Sequence, residues 1–208
     1  NIVKIIYCPP NTLINSMTKK LKKTRILVGA QNCHENETFG PFTGYINSSM
    51  LKNAGAKFVI IGHSENRNTG ETNKIINLKI KSALKSGLKV IFCVGETIQE
   101  KRKKITKKVI ANQIKQGLHS IKNKKDIMIA YEPIWSIGSG IIPKPNELFN
   151  IINFIKNKFK NFKVLYGGSV NPKNIIQLKS IENIDGFLIG GASQSPKKFI
   201  DIIKKTYN

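Results

Sequence analysis

Residues 127–140 read IMIAYEPIWSIGSG. The apolar run Ile127 to Tyr131 stops at a carboxylate, Glu132, and at Pro133, which lacks the backbone N–H that either a helix or a ladder would need. So short a run, rich in isoleucine and closed by turn-forming residues, reads as a parallel strand covered on both faces. Glu132 then stands at the C-terminal end of a strand. The loop beyond it mixes bulky apolar side chains with Gly138 and Gly140 and continues into Ile141, Ile142 and Pro143.

The same grammar recurs along the whole chain. Strands are expected over Val3 to Cys8, Ile26 to Ala30, Phe58 to Gly62, Val90 to Val94, Ile127 to Tyr131, Val164 to Tyr166 and Gly186 to Ile189, seven in all. Between them, Lys74 to Ser86 brings Ile75, Ile76, Ile80, Ala83 and Leu84 to one helical face and stops at Gly87. Lys104 to Ile121 repeats the pattern with Ile105, Val109, Ile110, Ile114 and Leu118. Pro145, Pro172 and Pro196 each suit the first turn of a further helix, and the helical lysines are expected on a solvated outer face.

Alternating strands and helices can build an open doubly wound sheet or a closed (β/α) barrel, and no GxGxxG follows the first strand, so the barrel is preferred. An eight-unit barrel of ~250 residues has about 31 per unit, so this chain corresponds to about 6.7 units and is expected to lack one. No linker or shift in composition divides it. The expectation is a single α/β barrel domain over residues 1–208, incomplete at its N-terminal end.

Composition narrows the function classes. The 208 residues carry 35 Lys and Arg against 12 Asp and Glu, a net charge of +23, while 40% are hydrophobic, enough to exclude a disordered polyelectrolyte. The charge favours anionic substrates, but no stripe of interleaved aromatics or nucleic-acid-reading motif accompanies it, so specific nucleic-acid binding is not expected. No apolar run nears the ~18–20 residues of a membrane span, and no secretory pattern opens the chain. Cys8, Cys33 and Cys93 form no CxxC pair, which argues against zinc and disulfides and for a reducing, cytoplasmic setting.

At the C-terminal ends of barrel strands chemistry-bearing residues gather. His63 follows FVIIG and Glu132 follows MIAY. Singly, each has a plain structural reading, as a hydrogen-bonded core histidine and as a capping glutamate. Together, a carboxylate beside apolar residues can take a carbon-bound proton next to a carbonyl, and an imidazole can polarise the carbonyl oxygen. That is enediol chemistry and needs no metal, flavin or nicotinamide. Gly167, Gly168 and Ser169 follow one late strand, and Gly190, Gly191, Ala192 and Ser193 follow the last, so that exposed backbone N–H groups can hold a phosphate. The PIWSIGSG segment reads as a lid that would exclude water from such an intermediate, with an ordinary buried loop as the alternative.

GAQN at Gly29 to Asn32, FTG at Phe42 to Gly44, VIIGHSE at Val59 to Glu65, CVGE at Cys93 to Glu96, AYEPIWSIGSG at Ala130 to Gly140, YGGSV at Tyr166 to Val170 and IGGAS at Ile189 to Ser193 occur in this order. In that ordered set the chain resembles the triosephosphate isomerases. The resemblance implies a TIM barrel and interconversion of dihydroxyacetone phosphate and D-glyceraldehyde 3-phosphate, in glycolysis and gluconeogenesis, without a cofactor. It implies that Glu132 is the catalytic base and His63 a neutral electrophile, and that Gly138, Ser169, Gly190 and Gly191 bind the phosphate. Pro133 to Gly140 resembles the family's lid, and Cys93 a packing cysteine near the site. It also implies a homodimer in which the loop from Gln31 to Gly44 enters the neighbouring subunit and Thr43 supports its site.

The chain departs from the pattern at its start. A family strand bearing an asparagine and a lysine is not found, and Asn1 to Pro10 resembles the second strand instead. Since that lysine faces the phosphate and the developing oxyanion, and pairs with the Glu65 position, the 208 residues alone are expected to show little isomerase activity and to leave two strand edges unpaired. Tyr45 stands where the family usually has a glutamate and Asn66 where it has an arginine, which weakens the expected dimer. Two rivals are a non-catalytic barrel relative kept for binding and a basic nucleic-acid-binding protein.

Overall fold

Runs of β-branched residues form the strands, and segments with a 3.6-residue apolar period form the helices that cover them. The structure, a computed structural model, describes residues 3–207; Asn1, Ile2 and Asn208, at the two ends of the sequence reading, lie outside the described residues. Its residues group into two compact units.

The first unit holds Lys4–Cys93 and Ile114–Ile127. It carries β1 (Ile6–Tyr7), β2 (Leu27–Ala30), β3 (Phe58–Ile61) and, up to Cys93, β4 (Lys89–Val94). These strands lie side by side in chain order and are parallel, with Ile6 opposite Leu27, Gly29 opposite Phe58, and Phe58 to Ile61 opposite Lys89 to Phe92. All four residues of β3 are buried, as a parallel strand covered on both faces should be. Ile76, Ile80 and Ala83 of the helix Asn73–Lys85 are fully buried, and each isoleucine contributes about 1.5–3 kcal/mol by leaving water. The Thr72 hydroxyl caps this helix by accepting the Ile75 N–H at 3.3 Å, and Gly87 leaves it at φ +73°, in the left-handed region that glycine enters without strain.

The second unit takes in Val94–Gln113 and the chain from Met128 onward. Its strands β5 (Ile127–Tyr131, from Met128 onward), β6 (Lys163–Tyr166) and β7 (Gly186–Phe187) are again parallel and in chain order, with Met128 to Tyr131 opposite Lys163 to Tyr166 and Tyr166 opposite Phe187. The helix Pro145–Lys158 buries Leu148, Ile151, Ile152 and Ile155, and it opens on Pro145 in its first turn. The Pro196–Tyr207 helix buries Ile202.

Seven parallel strands among the described residues match the sequence reading in number and order, and β5 in both bounds. Several details differ. β1 and β7 are two residues each, shorter than Val3 to Cys8 and Gly186 to Ile189, because only two register pairs join each to its neighbour. The helix expected over Lys104 to Ile121 is shorter at both ends, Thr106–Gly117, since Lys104 at φ +58° cannot belong to it, and a separate short helix, Ile98–Arg102, precedes it. Pro172 opens no helix: the Asn171 side chain accepts the Lys173 and Asn174 N–H groups in an Asx turn, and the helix starts at Ile175. Lys79 corrects the solvated lysine face, for it is 6% exposed and ion-paired with Glu71, with Asn32 bonded to both partners. A buried ammonium needs such partners, and periodicity alone does not reveal them.

No helix among the described residues is long and apolar enough to cross a membrane.

Candidate active site

Tyr131 ends β5, and the backbone of Glu132 continues the ladder by donating its N–H to the Val94 carbonyl at 2.8 Å. Two glycines make room for this residue. A Cβ on Gly167 would stand 2.7 Å from Glu132 Cγ and 3.2 Å from its Oε1, and a Cβ on Gly95 would collide with the Glu132 carbonyl. Gly95 is held in turn by Gln113, whose amide exchanges two 2.9 Å hydrogen bonds with the Gly95 N–H and C=O as a neighbouring strand would. The result is a glutamate only 2% exposed.

The segment after Glu132 has a fixed stem and an exposed tip. Ile134–Ser136 form one 3₁₀ turn, and the Ile134 N–H bonds the Glu96 carbonyl at 3.0 Å. The Glu96 carboxylate is 1% exposed; it accepts the Trp135 indole N–H at 2.9 Å and the Tyr131 hydroxyl at 3.2 Å. Burial pushes the Glu96 carboxyl above its usual range, against the pull of those donors and of Lys101. Ser136, fully buried, donates to the Ile141 carbonyl at 2.5 Å, accepts the Ser169 N–H at 3.3 Å and lies 3.1 Å from the Tyr166 hydroxyl, whose own pKa burial raises to about 12. Beyond Ser136 the chain comes to the surface: Gly138, Ser139, Gly140 and Ile141 are exposed, with both glycines at positive φ.

In the first unit, His63 lies two residues past β3 as the N-cap of the helix Ser64–Asn68. Its Nδ1 accepts the Glu65 N–H at 3.3 Å, so in the neutral ring the hydrogen sits on Nε2. Burial lowers the imidazole's pKa from its ordinary 6.5, and the Glu65 carboxylate, 3.8 Å from Nδ1, opposes the shift in part. A helix N-terminus disfavours a cation in the same direction. Arg67 braces the turn below, donating to the Gly62 carbonyl at 2.7 Å and the Cys93 carbonyl at 3.0 Å, while Gly62 takes φ +77°. Burial pushes the Cys8 and Cys33 thiols up to about 12, which makes them packing groups at neutral pH.

The glycines read as phosphate ligands all lie in the second unit. Gly190 leads into the 3₁₀ turn Gly191–Gln194, and open space lies where a side chain on Gly190, Gly191 or Gly138 would stand. Ser169 is tied to the stem through Ser136, and its carbonyl accepts the Asn174 amide at 2.9 Å.

A sequence profile described as Triosephosphate isomerase matches residues 1–206. The chain belongs to the triosephosphate isomerase family. It is 44% identical to the triosephosphate isomerase of Dictyoglomus thermophilum, over 97% of this chain and 85% of that protein, and 47% identical to that of Mycoplasmopsis pulmonis, over 90% and 75%. A crystal structure of triosephosphate isomerase from Bartonella henselae superposes with a TM-score of 0.89 at 35% identity, covering 98% of this chain and 86% of that one. The fold is therefore the (β/α) barrel of the triosephosphate isomerases. Within that family frame, the sequence reading missed three supports: Glu96, Ser136 and Arg67. Glu96 was visible in CVGE at a strand end and Arg67 as one of only three arginines, but Ser136 gave no signal beyond its place in the lid motif.

Proposed function

We propose that this member of the triosephosphate isomerase family is an intramolecular aldose–ketose isomerase that interconverts dihydroxyacetone phosphate and D-glyceraldehyde 3-phosphate through an enediolate, with no cofactor. The observation that carries the reading is the burial of Glu132 at a strand end, in room that Gly95 and Gly167 leave for it. Glu132 takes a proton from the hydroxymethyl carbon next to the carbonyl, and the electron pair of that C–H bond becomes the C=C bond of the enediolate. The neutral His63 donates from Nε2 to the oxygen on which charge develops, and it moves a proton between the two oxygens. Glu132 returns its proton to the neighbouring carbon, so nothing is consumed. Backbone N–H groups of Gly138, Gly190 and Gly191, and that of Ser169 in place of its 3.3 Å bond to Ser136, hold the phosphate, and residues 133–140 close over it to keep water out.

The chain acts as one barrel domain in the cytoplasm, a setting that suits its three free cysteines. It pairs as a homodimer through residues 31–44, with Thr43 reaching the neighbour. Around that loop Phe39 and Tyr45 are 75% and 64% exposed, and the His34 ring packs 4.7 Å from both Phe42 and Tyr45. Sedimentation of the full-length protein over a dilution series tests the dimer; a single monomer peak at every concentration overturns it. The isomerase reading is tested by transfer of solvent deuterium into the carbon position next to the carbonyl. Exchange that persists unchanged in Glu132→Gln would overturn Glu132 as the base.

A further inference from the structure

Lys101 stands outside every role above except its pull on Glu96. It lies in the short helix Ile98–Arg102, which a capping box of Thr97 and Glu100 starts. Its side chain is 28% exposed, and its Nζ sits 3.6 Å from the centroid of the Trp135 ring and 2.7 Å from Glu147 Oε1. Glu147 in turn belongs to the first turn of the helix Pro145–Lys158. Trp135 is the chain's sole tryptophan, and its ring is gripped twice: at its N–H by Glu96, 2.9 Å away, and on its face by the Lys101 ammonium. The other lysines over aromatic rings in this unit, Lys107 and Lys158 on Phe154, lie 5.5 and 5.7 Å off, so the Lys101 contact is much the tighter.

We propose that Lys101 is a positioning residue for the lid: held by Glu147, it pins the Trp135 indole and with it the stem of the segment, leaving only the tip past Ser136 to be ordered when substrate binds. This rests on the lid reading of residues 133–140. The exposure pattern supports it, since Ser136 is fully buried whereas Gly138 to Ile141 are exposed. A loosened stem would add residues to the set that closure must immobilise, and each ordered residue costs backbone entropy. The cost falls on binding, because the proton transfers assigned above use no residue of the stem.

The test uses the full-length protein as parent, Lys101→Met, Lys101→Arg and Glu147→Gln. Trp135 emission and its anisotropy are read without ligand, and kcat, KM and the affinity for 2-phosphoglycolate, a carboxylate mimic of the enediolate, are measured alongside. Lys101→Met keeps the apolar stem and removes the cation. It should lower the anisotropy, shift emission to the red, and raise KM and the 2-phosphoglycolate Kd about fivefold while kcat stays within about twofold. Lys101→Arg should restore all of these, and Glu147→Gln should fall between. Parent-like anisotropy and KM in Lys101→Met overturn the proposal, as does a loss confined to kcat or a failure of the arginine to rescue. The lid reading fails separately if the parent binds 2-phosphoglycolate by calorimetry with no change in Trp135 emission; the ligand-free anisotropy then still decides whether Lys101 pins the indole.

Discussion

Glu132 and His63 each stand just past the end of a parallel strand, yet the chain prepares them by opposite means. Around Glu132 it removes side chains: Gly95 and Gly167 leave room into which the glutamate is buried to 2% exposure. Around His63 it supplies backbone: the Glu65 N–H occupies Nδ1, and a helix starts at the ring. One group is placed by the room its neighbours leave, and the other is tuned by burial, a hydrogen bond and a dipole. The difference teaches that a substitution next to Glu132 acts through space, whereas one next to His63 acts through charge.

The largest test of that contrast is Glu132→Gln, which keeps the shape and removes the base. It should lower kcat by about 10²–10⁴-fold with the fold unchanged by circular dichroism, as a coupled assay of the full-length protein would register. Next is Gly167→Ala. Its methyl group would stand 2.7 Å from Glu132 Cγ, so the carboxylate must shift, and a displacement near 1 Å can cost about 10²-fold in kcat. An alanine variant with parent kcat would show that the glycine does not shape the base.

On the His63 side the expected effects are smaller and depend on pH. The folded imidazole releases its proton at a lower pH than in the unfolded chain, so its contribution to stability is complete above pH 6.5 and is lost as pH falls through the folded value. NMR titration of the ring should show that lowered value, and Glu65→Gln should lower it further by removing the attracting carboxylate. A ring that titrates at its ordinary value would remove the distinction. The smallest effect is expected from Arg67→Lys, which cannot reach the Gly62 and Cys93 carbonyls at once. A loss of about 1–2 kcal/mol in denaturant unfolding, with kcat nearly unchanged, would mark Arg67 as a brace for the turn.

Local rules reached far in this chain. Alternation of strand and helix, the strand-end places of Glu132 and His63, and the opening of two helices at Pro145 and Pro196 all follow from residues within a turn or two of one another. They failed where a single backbone angle mattered, as at Lys104, or where an asparagine side chain took over the turn, as at Asn171.

The order of side-chain types therefore determined the seven strands, the family and the positions from which a carboxylate and an imidazole could act. Tertiary structure alone decided that Lys79 is buried against Glu71, that Glu96 gathers both Tyr131 and Trp135, and that Ser136 joins the stem to Ser169. The reason is physical: periodicity and capping are interactions between near neighbours in the chain. The desolvation of a charge and the pairing that offsets it depend on which distant residues the packing brings within about 3 Å, and no local pattern carries that information.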